Sequence, residues 1–307
     1  MDIAVLGAGA MGTLFGAHLA ARHNVLMVDV SEQRVRRLQE QGARICSAEG
    51  ELARPLRAAT SAAERKPVDL VLVFVKAMHT AAALAQNRAL IGPQTYLMTL
   101  QNGAGHEEIL GEFAPAGRVI LGTTQHNASF LPDGRVHHGG GGETWIGLLT
   151  GETAALEPIA AAFTASGLHT AVMDDVRRCI WQKLLLNTSA SALTAILQMP
   201  LGYILDNPDA RALMQTLVRE AVAVANRQVR TPLDAQEEIL RIESALHGAR
   251  QGYTSICMDI RAGRQTEVDT ISGYVLAMAD RLGVSTPCHR TVVALLHALQ
   301  SRPAHSC

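Results

Sequence analysis

Residues 1–19 read MDIAVLGAGAMGTLFGAHL, and this stretch decides the fold. Residues 1–6 are a short apolar run with β-branched members. Gly7-Ala8-Gly9-Ala10-Met11-Gly12 follows at once, and the residues after Gly12 repeat apolar side chains at helical spacing. Strand, glycine turn and helix in that order open a dinucleotide-binding βαβ unit. In such a unit Gly7 makes the tight turn, Gly9 clears the backbone for a pyrophosphate, and Gly12 lets the helix pack close to the strand. The helix N-terminus adds unpaired N–H groups and the positive end of its dipole. A second apolar run, NVLMVDV over 24–30, carries Asp29, 17 residues past Gly12, close to where the ribose-binding acid of this unit belongs.

Working outward, residues 31–42 predict a helix with Ser31 as N-cap and Gly42 as its stop. Residues 43–60 predict short strands or a loop. VDLVLVFVK over 68–76 has the near-continuous apolar pattern of a parallel strand buried on both faces, closed by Lys76 at its carboxyl end. A helix over 80–90, a strand over 95–100 ending in Gln101-Asn102-Gly103, and a strand over 119–123 ending in Thr124-Gln125-His126-Asn127-Ala128 follow. Residues 135–148 predict antiparallel strands finishing the sheet, 152–166 a helix and 168–172 a last strand. Beyond Asp175 only helical patterns remain, and SRPAHSC at 301–307 reads as a frayed tail. The expected class is α/β: a Rossmann-like domain with a mostly parallel sheet over 1–173, then an all-α domain over 174–307.

The chain has 307 residues, 48% of them hydrophobic, enough for two cores. A formal net charge of −1 supplies no basic field for nucleic acid or an anionic membrane, so a small molecule is the expected partner. The five cysteines (46, 179, 257, 288, 307) are widely spaced with no C-x-x-C pair, which argues against a disulfide framework or a zinc site and fits a cytoplasmic protein. No signal peptide pattern and no membrane-length apolar run is present. Monomer and homodimer are both compatible with the apolar helices.

Chemistry concentrates in the second half. WQKLLLNTSAS over 181–191 reads as a helix interior in which Lys183, Asn187 and Ser191 share one face, surrounded by Trp181, Leu184 and Leu185. Lys183 is then either a snorkelling lysine at a solvated edge or a desolvated ammonium with a lowered pKa, suited to proton transfer. Residues 253–264 predict a helix ending near Gly263. Glu267 is expected in the first turn of the next helix, where a carboxylate is equally explained by capping with Thr266. His137 and His138, adjacent in a strand, point to opposite faces and make no metal pair. His126, after a strand end, is compatible with a place near the cofactor and with none.

These blocks resemble the ketopantoate reductase family: GAGAMG, VKAMHT, QNGAGHEE, LGTTQHNA, WQKLLLNTSASALTAI and YTSICMDIRAGRQTEVDTISGYV, in order over nearly the whole length. The resemblance implies a Rossmann-type domain plus a helical domain with the active site in the cleft, and a place in pantothenate biosynthesis. It implies reduction of a 2-oxo acid by NADPH or NADH. Residues 7–12 would hold the pyrophosphate; Lys76, Asn102 and Ala128 would contact the cofactor. Lys183 would donate the proton, Asn102, Asn187, Ser191 and Ser255 would bind substrate, and Glu267 would lie where cofactor, substrate and Lys183 meet.

Three departures stand out. Ser191 replaces a common asparagine, Gly252 replaces a polar contact, and Asp29-Val30 replaces the arginine that meets a 2′-phosphate. They point toward NADH and toward the NAD-dependent D-2-hydroxyacid (D-mandelate-type) dehydrogenase branch, with ketopantoate the first-choice substrate. A 3-hydroxyacid dehydrogenase of the hydroxyisobutyrate type shares the lysine and asparagine four apart but lacks its glycine block here. A non-catalytic NAD(P)-sensing regulator would not need Lys183, Asn187, Ser255 and Glu267 together.

Overall fold

The computed structural model describes residues 1–301; residues 302–307, which hold most of the expected tail and Cys307, lie outside the described residues. The chain divides into two compact units. One comprises Met1–Gln101 and His106–Val176, the other Asn102–Gly105 and the chain from Arg177 onward. The four residues 102–105 thus belong with the helical unit although they follow a strand of the first, a division more elaborate than the single cut after 173.

The first unit contains β1 (Asp2–Leu6), α1 (Ala10–Leu19), β2 (Asn24–Val28), α2 (Glu32–Gln41), β3 (Ala43–Ser47), β4 (Gly50–Arg54), β5 (Arg57–Ala59), β6 (Leu70–Val73), α3 (Thr80–Gln86), β7 (Tyr96–Thr99), α4 (His106–Gly111), β8 (Val119–Thr124), β9 (Asn127–Phe130), β10 (Val136–Gly140), β11 (Thr144–Leu148), α5 (Glu157–Ala165) and β12 (Thr170–Val172). Eight strands form one sheet in the order β12-β11-β8-β7-β6-β1-β2-β5. Read from β5, the parallel run β5-β2-β1-β6-β7-β8 has the doubly wound order, with its switch point between β1 and β6. Ser31 accepts from the Arg34 N–H to cap α2, and Gly42, at φ +67°, ends it as expected.

Two differences from the sequence reading are local. The strand expected over 68–76 is ordered only over Leu70–Val73. Its neighbour β1 ends at Leu6, so past the Phe74 N–H bond to the Leu6 carbonyl the chain loses that ladder and turns across the glycine loop. Residues 135–148 do not all finish the main sheet. β11 pairs antiparallel with β8, whereas β10 joins a separate sheet, β4-β3-β10-β9. Ala128 accordingly lies in β9, opposite His138, rather than in a loop.

The second unit contains α6 (Val176–Leu186), a π-helical turn (Asn187–Ser191), α7 (Ala192–Leu197), α8 (Leu201–Asp206), α9 (Pro208–Ala225), α10 (Ala235–Gly248), α11 (Ser255–Arg261), α12 (Ser272–Leu282) and α13 (Pro287–Gln300). Its core includes Trp181, Leu184, Leu185, Leu193, Met214, Leu217, Ile242, Val275 and Leu296. Among the described residues no helix is long and apolar enough to cross a membrane.

Candidate active site

In the first unit, the glycine loop emerges from β1 at the switch point. Gly7 sits at φ +102°, and a Cβ there would come within 2.7 Å of the Val75 N and 2.8 Å of the Phe74 carbonyl carbon. Only glycine permits both that dihedral and that approach. A Cβ on Gly12 would run into the Gly7 carbonyl oxygen, whereas one on Gly9 would meet nothing within 4 Å. The space above Gly9 is therefore open, beside the N-terminus of α1, whose N-cap carries no side-chain hydrogen bond. These residues fit a dinucleotide pyrophosphate. Lys76 follows directly on the segment that the Gly7 turn touches.

Asp29 is buried, and its carboxylate is engaged by the protein. Oδ2 accepts from the Ala8 N–H at 2.7 Å and from Arg34 at 3.3 Å, and Oδ1 accepts from the Ser31 N–H at 2.9 Å. The acid thus braces the glycine loop as well as closing β2. Arg34 is exposed to solvent and also reaches back to Asp29. Arg37 likewise donates to the Gly134 carbonyl at 3.5 Å. Val30, the next residue, is 78% exposed.

Gln101, named at the end of its strand but given no role by the sequence, joins the segments that follow β6 and β7. Its Nε2 donates to the Val75 carbonyl at 2.6 Å and to the Thr80 hydroxyl at 2.9 Å, and its Oε1 accepts from Thr99 at 2.8 Å. Gln101 opens the QNGAGHEE block, to which the sequence reading assigns a role only from Asn102 onward. His126 is buried against Phe15 with its Nδ1 3.0 Å from His138 Nε2. Burial, with the His138 and His18 rings nearby, lowers its pKa to about 4, so it is neutral at pH 7.

In the second unit, α6 carries Lys183 directly after two anchored residues. Trp181 Nε1 donates to Gln228 Oε1 at 3.3 Å, and Gln182 Nε2 donates to the buried Glu238 at 2.7 Å. Lys183 keeps part of its surface exposed, yet desolvation by the surrounding protein lowers its pKa from 10.5 to about 8; the carboxylate of Glu267 opposes that shift. The direction of that shift is the one expected of a desolvated ammonium.

Asn187 follows one turn on, but not in a regular helix. The residues Asn187–Ser191 form a π turn, a rare local widening that recurs at functional sites. Ser191 is buried and donates to Asn187 Oδ1 at 3.4 Å, so its hydroxyl acts on the Asn187 amide. The Ser191 carbonyl in turn accepts from Thr194 at 2.9 Å and Thr254 at 3.4 Å. Thr254 caps α11, which begins at Ser255 rather than Tyr253, leaving Ser255 exposed in the first turn.

Glu267 is not in a helix. It lies in a bend that leads into a turn over 268–271, and α12 starts only at Ser272, with no side-chain cap. Thr266 donates to Gln300 at 2.7 Å, and its hydroxyl oxygen accepts from the Val268 N–H at 3.2 Å. Capping of α12 therefore does not explain Glu267. Against this turn sits the 102–105 segment: the Ala104 N–H donates to the Thr270 carbonyl at 2.9 Å. Asn102, Lys183, Asn187, Ser191, Ser255 and Glu267 all belong to the second unit, where Lys183 interacts with Glu267 and Ser191 with Asn187. Among the described residues no group of three or more His, Cys, Asp or Glu could hold a metal ion.

A doubly wound domain with an open glycine cradle, joined to a helical unit bearing a lysine–carboxylate pair, defines a two-domain oxidoreductase of the dinucleotide-binding class. Comparison makes this specific. The description "Ketopantoate reductase PanE/ApbA" matches residues 3–151 and its C-terminal counterpart matches residues 175–300; the chain belongs to the ketopantoate reductase family. It is 32% identical to the 2-dehydropantoate 2-reductase of Halobacterium salinarum over 305 residues, 98% of this chain and 99% of that protein. Among solved structures, the ternary structure of D-mandelate dehydrogenase with NADH and anilino(oxo)acetate has a TM-score of 0.91 at 30% identity over 98% of both chains. The 2-dehydropantoate 2-reductase from Geobacter metallireducens has a TM-score of 0.89 at 28% identity over 97% of this chain and 99% of that one.

Proposed function

We propose that the protein reduces a 2-oxo acid to the 2-hydroxy acid, with 2-dehydropantoate as substrate and a nicotinamide dinucleotide as reductant. The observation that carries this reading is Lys183: a lysine with a pKa near 8, opposed by Glu267 and one turn from Asn187. A bound reduced nicotinamide supplies hydride to the carbonyl carbon. Lys183 holds a proton at Nζ, stabilises negative charge developing on the keto oxygen, and releases the proton to it. Glu267 keeps that ammonium charged against desolvation. Asn102, Asn187 and Ser255 bind the substrate's polar groups, with Ser191 orienting the Asn187 amide. Residues 7–12 hold the pyrophosphate, and Lys76 and Ala128 contact the cofactor.

NADH is the cofactor this reading favours. Asp29 has three donors on its two oxygens, and an ionised carboxylate has about four acceptor sites, leaving one for a ribose hydroxyl. A 2′-phosphate would meet that carboxylate and exposed Val30, with Arg34 already paired. The likeness to an NADH-bound D-mandelate dehydrogenase supports a second substrate reading, a bulkier 2-oxo acid, since Ser191 and Gly252 are small. Steady-state kcat/KM for a panel of 2-oxo acids with each cofactor tests both. An aromatic or branched acid preferred over 2-dehydropantoate by more than about tenfold, roughly 1.4 kcal/mol in the transition state, would select the second.

A further inference from the structure

Beneath the π turn runs a buried polar chain that none of the expected site residues includes. Glu220 on α9 accepts from the Cys288 and His289 N–H groups at 3.0 Å each, and lies 2.8 Å from His289 Nδ1. His289 Nε2 is 3.0 Å from the Thr188 hydroxyl, which donates to Ser272 at 3.0 Å. His289, Thr188 and Ser272 are each 0% exposed. Burial pushes the Glu220 carboxyl up, but the His289 side chain and the two N–H groups outweigh it and hold it below the ordinary range. Buried polar groups are costly unless partnered, and here partners from α9, α13, the π turn and α12 converge on one line.

The two ends of that line matter. Thr188 is the residue after Asn187. Ser272 is the first residue of α12, directly after the turn whose Ile271 N–H bonds the Glu267 carbonyl at 3.1 Å. We infer that the chain Glu220–His289–Thr188–Ser272 is a positioning device, fixing the π turn that carries Asn187 to the turn that carries Glu267. It rests on the reductase reading above for its consequence in catalysis. On this reading the four residues act through Asn187 and Glu267, by setting the distance between them.

Thr188→Val keeps the shape and removes the hydroxyl, so it breaks both the Ser272 and the His289 bond. In the full-length protein it should lower kcat about tenfold or more, because small misplacements of reacting groups are costly. Cofactor binding, followed by nicotinamide fluorescence, should not change, and Thr188→Ser should recover the rate. As Glu267 loosens, the alkaline limb of the kcat profile should move to lower pH, a change that loss of packing alone does not produce. Amide hydrogen exchange over 266–272 should accelerate about tenfold in Thr188→Val without any substrate. An unaltered kcat, an unmoved limb, or a loss that serine does not recover overturns the inference. A wild type that reduces no 2-oxo acid defeats the reductase reading instead, and exchange alone then decides: unchanged exchange over 266–272 overturns the tether.

Discussion

Gly103 lies so close to Thr270 that a Cβ on it would overlap the Thr270 carbonyl oxygen, and it holds φ +89°. The loop bearing Asn102 is thereby seated on the turn bearing Glu267, with the Ala104 N–H bond beside it. Gly103→Ala adds both the clash and a left-handed penalty of about 1–2 kcal/mol. It should raise KM for the oxo acid and lower the melting temperature. Unchanged kinetics and melting would mean that the loop is not held this way.

Lys183 sets a pH dependence. With a pKa near 8, its ammonium is lost above that pH, so kcat for keto reduction should fall on the alkaline side while the reverse oxidation rises. The same burial is a stability cost. Its folded pKa lies below the unfolded value of 10.5, so the cost is fully present below about pH 8 and fades as pH rises toward 10.5. Lys183→Met should therefore gain stability relative to wild type at pH 7, and the gain should shrink over that window. Denaturant unfolding at pH 7 and 9.5 measures it.

Glu267→Gln removes the charge that opposes desolvation of Lys183. The alkaline limb should move to lower pH and kcat should drop, with a stability change below about 1 kcal/mol, since no helix is being capped. A large melting shift with an unchanged pH profile would return the residue to a structural role.

At the end of β2, wild type should prefer NADH over NADPH by about tenfold or more in kcat/KM, given repulsion between Asp29 and a 2′-phosphate that Arg34 only partly offsets. Arg34→Ala should widen that preference, and Asp29→Ala should weaken both cofactors by freeing the Ala8 N–H. A wild-type preference for NADPH that survives Asp29→Ala would remove the acid from the ribose site.

The glycine run, the Ser31 and Gly42 boundaries and the buried parallel strands were legible because each is a short-range signal: a forced dihedral, a cap, an unbroken apolar pattern. The apolar setting of Lys183 was legible for the same reason. What escaped depends on distant partners. The Glu267 turn is shaped by Gln300 and by the loop of Gly103, and helical spacing alone makes it look like a first turn. The π turn keeps apolar periodicity on both sides, so only its bonds reveal it. The reach of exposed Arg34 back to Asp29 likewise depends on how the β2 end places the acid, which helical spacing does not encode.

The measurement closest to the central claim is the rate at which wild type and Lys183→Ala oxidise NADH and NADPH in the presence of 2-dehydropantoate and of an aromatic 2-oxo acid. Wild type should turn over at least one of these acids. Lys183→Ala should lose roughly 10²–10⁴ in kcat while binding the cofactor as before. Failure of wild type to reduce any 2-oxo acid, or a Lys183→Ala variant with near wild-type turnover, would contradict the account.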